Sequence, residues 1–170
     1  MNNCTPFAFT GIALDCGNVG GLKTIYVADV LDVTDITVTD GEVTAITMDE
    51  GKKFKEFNFR KGNANFSAES SRDDQAGTSF VTTTTTASFN HMETAKRKDL
   101  QGLAKANTYV IAKDENGKNW FIGYDSYNSG SASGASGAAM GDANQYEVTL
   151  TAITTELPME VASDVLEEIL

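Results

Sequence analysis

Period-two alternation of apolar and polar positions runs through most of this chain. Residues 21–27 place Leu22, Thr24 and Tyr26 on one side and Ile25 and Val27 on the other, the pattern of a strand. Residues 33–38 are rich in Val and Thr, and residues 43–48 repeat the alternation after Asp40-Gly41. Asp-Gly between β-branched runs predicts a tight hairpin, because glycine accepts the positive φ of a primed turn. Glu50-Gly51 closes that unit. Residues 53–67 alternate around Phe57 and Phe59, and residues 80–89 answer them with the run Thr82 to Thr86. Five successive threonines are stiff at χ1 and suit a pleated surface. They put hydroxyls on both faces, so neither face there is wholly apolar. The polar stretch 68–78 between the two reads as a mobile loop at the tip of a long hairpin.

One internal segment has helical periodicity. Met92, Ala95, Leu100, Leu103 and Ala104 recur near 3.6 residues, with Asn90 and Glu93 spaced as a weak capping box. Such a stripe is core packing rather than a cofactor site. Residues 108–113 and 118–124 predict a second hairpin around Asn116-Gly117. Residues 126–144, a run of Ser, Gly and Ala, read as a separate flexible segment. Alternation returns over 145–154, with Tyr146, Val148, Leu150 and Ala152 on one parity, and Pro158 ends it. Residues 161–170 suit a short acidic amphipathic helix or a tail that docks on a neighbour. The pattern thus predicts a mainly β chain, one domain over 1–170, with a long hairpin and one flanking helix.

Charge narrows the function. The 170 residues carry a net charge of −11, which opposes both phosphate binding and adsorption to anionic membranes. Seven acids and no base fall in residues 28–50, and eight acids and no base in residues 121–170. Bases gather in 52–61 and 96–118. This segregation describes either a solvated surface or one acidic and one basic face suited to head-to-tail stacking of identical subunits. No apolar run reaches the ~20 residues of a membrane span, and residues 1–9 lack the plan of a secretory signal. A cytosolic origin follows as the expectation. There Cys4 and Cys16 are most simply reduced apolar side chains, although their spacing also allows a disulfide.

Candidate chemistry is thin. The Gly/Ser run at 129–137 has no Lys-Ser or Lys-Thr after its glycines, so it is no phosphate cradle. Asp114-Glu115-Asn116-Gly117 is better explained as a turn than as a calcium loop, since no Glu closes it. The acids of 29–50 would bind a divalent cation only weakly. His91, the single histidine, sits at a helix boundary. No nucleophile–base pair or metal-ligand spacing stands out. No catalytic, cofactor-binding or metal-ligating residue is assigned, and the chain reads as a non-enzyme without cofactors.

The pattern as a whole resembles the major tail proteins, or tail tube proteins, of long-tailed bacteriophages, of the type associated with Bacteroidota hosts. Leu14-Asp15-Cys16 with Gly20-Gly21-Leu22-Lys23, Ile46-Thr47-Met48 with Gly51-Lys52-Lys53-Phe54, and Leu103-Ala104-Lys105-Ala106-Asn107 carry the resemblance. Asn116-Gly117-Lys118-Asn119-Trp120 and Gly141-Asp142-Ala143-Asn144-Gln145-Tyr146-Glu147-Val148-Thr149-Leu150 continue it. It spans most of the chain and departs at 144–146, where Asn-Gln-Tyr replaces the usual Asn-Gly-Tyr. The resemblance implies a β-sandwich or half-barrel flanked by one helix. It implies hexameric rings whose inner sheets join into a continuous barrel, stacking into a tube in the virion tail. Other tail proteins are then partners, and DNA passes through without adhering.

On that reading the channel wall lies on the 53–67 and 78–89 hairpin with contributions from 42–50. It is hydroxyl-rich, acidic or neutral, and one parity of the threonine run faces it. Lys52, Lys53, Lys55, Arg60 and Lys61 then point outward or pair with acids of 28–50 or 156–168. At least one of segments 68–78 and 129–141 is expected to order only when rings stack. The alternatives are another ring-forming virion component (tail terminator, neck or baseplate protein) and a small β-sandwich binding module. A single Trp disfavours a sugar-stacking platform in the latter.

Overall fold

A computed structural model describes residues 9–14 and 16–170; Cys4 lies outside the described residues. The chain is mainly β, a large open sheet curled into a half-barrel with helical cover. In order come β1 (Leu22–Asp29), a 3-10 turn (Val30–Asp32), β2 (Val33–Thr39), β3 (Glu42–Met48) and β4 (Lys55–Asn58). Then follow β5 (Ala64–Asp73), β6 (Thr78–Asn90), α1 (Thr94–Leu103), β7 (Asn107–Asp114) and β8 (Asn119–Ile122). The chain continues through β9 (Asn128–Ala135), β10 (Gln145–Thr154), β11 (Met159–Val161) and α2 (Ser163–Ile169).

The hydrogen-bonded strand order is β2-β3-β11-β8-β7-β9-β10-β6-β5, with β1 pairing both β7 and β4. Strand β1 is buried on both faces, which is why its apolar residues run nearly unbroken. Ile25 and Val27, with Val110, Ala112 and Ile122, face a core shared with β5, β6, β10 and α1. Tyr26 and Ala28, with Ile111 and Phe121, face a second core closed by β3, β11 and α2. Two of the tyrosines at this second core, Tyr26 and Tyr109, have their hydroxyl pKa raised, chiefly by burial.

Both turn dipeptides form their hairpins. Asp40 and Gly41 adopt φ of 53° and 82°, the doubly positive pair that a type I′ turn requires. Strands β7 and β8 pair across the second turn, where Asp114 accepts from Lys118 N and Trp120 Nε1. The C-terminal segment is a helix that buries Val165, Leu166 and Ile169 against its own chain. It is not a tail left for a neighbour.

Three expectations fail. Residues 53–67 are two strands: β4 pairs with β1, whereas β5 begins at Ala64 and pairs with β6. A turn at 61–63 separates them, with Gly62 at φ 83°. The polar stretch 68–78 is mostly strand, because β5 runs to Asp73 and leaves a turn of only 74–77. The segment 126–144 contains β9, which pairs with β10 over eight residues from Asn128 to Ala135. The helix also starts later than the capping pattern suggests. Asn90 stays in β6 opposite Gln145, His91 turns the chain at φ 66°, and Glu93 is the N-cap without a side-chain cap bond.

Strands β8 and β9 both pair with β7, and Asn128 ties the segment between them to that strand. This residue is wholly buried, and its Nδ2 donates to Ile122 O at 2.9 Å and Thr108 O at 3.1 Å. Gly123 (φ 96°) admits it, since a Cβ there would sit 2.8 Å from Asn128 Nδ2. Asn128→Ala withdraws the donor from two buried carbonyls and is expected to lower stability by about 1–3 kcal/mol, measured by urea unfolding.

Candidate assembly and channel face

The four strands β9-β10-β6-β5 form a sheet whose two faces differ sharply. On the inner face lie Val81, Thr83, Thr85, Ala87 and Phe89 of β6 and Val148, Leu150 and Ala152 of β10, all buried. Thr83 and Thr85 are each 1% exposed, so the inward threonines are core residues. The outer face carries the opposite parity. Register aligns Ser129, Thr151, Thr84 and Ser67 in one row across the four strands, and Ser131, Thr149, Thr86 and Asn65 in the next.

Glu147 opposes Ser133 on one side and Ser88 on the other, and accepts from Ser88 Oγ at 3.3 Å. Glu69 and Asp73 lie on the same parity of β5. No Lys or Arg of the four strands falls on this parity; Arg72, the one cation within them, lies on the other and pairs with Asp74 at 2.6 Å. A sheet face of hydroxyls and carboxylates gives a wet, anionic surface that phosphate would not adhere to.

Thr83 and Thr85 are thus on the buried parity, and Thr82, Thr84 and Thr86 on the outward one. Strand β3 (Glu42–Met48) lies near the far end of the same sheet, between β2 and β11, so residues 42–50 contribute nothing to this face. The cations also lie elsewhere. Lys52 pairs with Asp32 at 2.9 Å, and that bond raises its pKa. Lys53 Nζ donates to Leu170 O at 2.6 Å. Lys55 lies on β4, and Arg60 and Lys61 are exposed at the turn before β5. Lys118, which the sequence did not single out, pairs with Glu160, which raises its pKa in the same way.

Both lateral edges of this sheet are open among the described residues. Strand β5 bonds only to β6. Strand β9 meets β7 only at Asn107↔Ser129 and Thr108↔Asn128, which leaves 130–135 without a partner on that side. Ten residues of β5 make a long, unprotected edge of the kind that recruits another strand.

Strand β9 is also the feature the sequence hid. From Ser129 to Gly134 its odd positions are Ser129, Ser131 and Ser133, and its even ones Gly130, Ala132 and Gly134. This is a period-two pattern written entirely in residues that elsewhere mark linkers. The small parity faces α1: a Cβ on Gly130 would lie 2.2 Å from Leu103 O, and one on Gly134 would lie 2.9 Å from the Tyr146 ring.

Elsewhere, Asp114 caps the Lys118 backbone N–H and the Trp120 indole N–H, and His91 N donates to Asn144 O. No group of three His, Cys, Asp or Glu side chains gathers among the described residues. A recess of about 670 Å³ beside α1 mixes Lys53, Lys55 and Lys96 with Asp29, Glu56 and Asp99. Cys16 is exposed. No helix among the described residues is long and apolar enough to cross a membrane. Comparison of the chain with protein-family models, with curated proteins and with solved structures found no match.

Proposed function

We propose that this chain is a structural subunit that joins copies of itself edge to edge into a ring, and that rings stack into a tail tube through which DNA passes. The observation that carries the reading is the β9-β10-β6-β5 part of the sheet: β5 is a free edge, β9 is free beyond Ser129, and the outer face carries hydroxyls and carboxylates before ending in Phe80 and Ile153. In such a ring β5 of one copy lies beside β9 of the next. The two strands then run antiparallel, because β5 and β9 have opposite directions within each copy. Closure removes both edges and turns the outer face into a channel wall. Duplex DNA presents about one charge per 1.7 Å of axis, so a wall free of cations lets it slide. The subunit is then a non-enzymatic virion component without a cofactor.

Sedimentation velocity across a concentration series tests the reading. A species about six times the 18.2 kDa chain, or tubes, is expected for a hexameric ring. A monomer at every concentration, alone and with tail initiation proteins, would overturn it. Rings that never extend, even with those proteins, would instead favour a terminator, neck or baseplate ring. Proline at Ser67 and at Ala68 locates the joint. Neighbouring N–H groups of a strand point to opposite sides, so one proline breaks a bond to β6 and lowers stability. The other removes a free-edge N–H, leaving the monomer folded and preventing ring closure.

A further inference from the structure

The two ends of the four-stranded sheet are not alike. At one end, β9 and β10 are joined by the loop 136–144, whose tip residue Met140 is fully exposed. The loop is nonetheless built. Asp142 accepts from Ala138 N and Ala139 N, each at 2.8 Å, and Asp142 N returns a bond to Ala139 O. Those backbone bonds hold the Asp142 carboxyl below its ordinary pKa. At the same end of the sheet, across β6 from the loop, lie Arg60 and Lys61, both exposed and neither in an ion pair among the described residues.

At the opposite end the outer face finishes in exposed apolar side chains. Ile153 (58% exposed) stands opposite Thr82, with Phe80 (40%) two residues along β6 and Tyr127 (44%) just before β9. Leu157, 56% exposed, follows β10 at the same end. The β5–β6 hairpin projects past β10 here, since the last β10 rung is Thr154↔Val81 and the hairpin continues to Asp73↔Thr78. Asp73, Asp74, Asp125 and Glu156 lie at this end, and the one cation of the hairpin, Arg72, is taken by Asp74.

One end therefore offers a preordered apolar tip, with two unpaired cations, Arg60 and Lys61, at the same end of the sheet. The other offers an apolar row flanked by carboxylates. We infer that these ends bind each other between two copies of the chain: the 136–144 loop of one copy seats Met140 on the Tyr127–Ile153–Phe80 row of the copy stacked on it. Charge complementarity sets the polarity, with Arg60 and Lys61 against the acidic end. Because the two surfaces are different and lie at opposite ends of one sheet, the contact is heterologous and repeats without closing. Loop preordering by Asp142 reduces the ordering cost of the contact. The inference rests on the ring reading above and adds the axial joint to it.

Mixing two blocked variants tests it. Met140→Asp with Lys61→Glu disables one end, and Ile153→Asp with Glu156→Lys disables the other. All four side chains are exposed, so the fold is spared, and single rings by sedimentation verify that. Each variant alone should stop at single rings. The two mixed in equal amounts should give ring pairs and nothing longer, because one intact joint is available. Wild-type tubes together with variants that also form tubes would overturn the inference and leave the ring reading standing. Blocked variants that form no ring pairs when mixed would overturn it too. A wild type that forms no rings would defeat the ring reading itself. Should Ile153→Asp fail to form rings, Ile153→Ser replaces it in the same mixture and is held to the same outcomes.

Discussion

Adjacent threonines of β6 are expected to respond in opposite ways to lysine. Thr83→Lys should abolish folding, because Thr83 is 1% exposed and packs inside. An unpaired ammonium there would lose its hydration, a cost of several kcal/mol even after relaxation. Thr84→Lys should fold and assemble normally, because Thr84 lies between Thr151 and Ser67 on the outer face. Its effect should appear only in the assembled state. In a ring the added cation repeats with every copy and every layer, making a ladder of phosphate sites. Tubes of Thr84→Lys should retain short duplex DNA at low salt where wild-type tubes retain none. Retention should collapse between about 50 and 200 mM salt, where 6–10 phosphate contacts lose about 10³–10⁵ in affinity. Co-sedimentation of labelled duplex with tubes reads this directly. Equal DNA retention by both tubes would show that Thr84 does not face the channel.

Gly130→Val should be among the most damaging single changes outside the apolar core. The Cβ would sit 2.2 Å from Leu103 O and 2.9 Å from its carbonyl carbon, so backbone rather than a pliable side chain must yield. Either α1 lifts at its C-terminal end or β9 leaves β10. Overpacking of this kind costs about 1–3 kcal/mol and occasionally more, and the backbone clash places Gly130→Val at or above about 3 kcal/mol on that scale. Ser131→Val, one residue on and directed outward, should cost far less. Thermal unfolding of the two variants compares them. Similar losses in both would mean that α1 does not press on β9.

The same strand shows what pattern reading found and what it missed. Hairpins with Asp40-Gly41 and Asn116-Gly117 were readable because a local backbone demand has a local residue solution. The helix was readable from Leu100 and Leu103, although its start was displaced by β6 running to Asn90. Strand β9 was invisible because its partners dictate its residues. Glycine at 130 and 134 answers the closeness of Leu103 and Tyr146, which no neighbour in sequence reveals. Residues 53–67 misled for a related reason. Phe57 and Phe59 pack on Phe89 from β4 and the turn beyond it, while β5 carries a different alternation, and only Lys61-Gly62 marks the break. The hydroxyl face was half readable. Composition announced it, but its parity and the exclusion of 42–50 needed the register of β6 with β10 and β5.

A cryo-electron microscopy reconstruction of the assembled protein tests the account most directly. The expected density is a closed ring in which β5 of each copy pairs with β9 of the next. Its inner wall should carry Ser131, Thr149, Thr86 and Asn65, with Lys52, Lys53, Lys55, Arg60 and Lys61 off the channel. A ring closed through β2 or β4, or a channel lined by those cations, would contradict it.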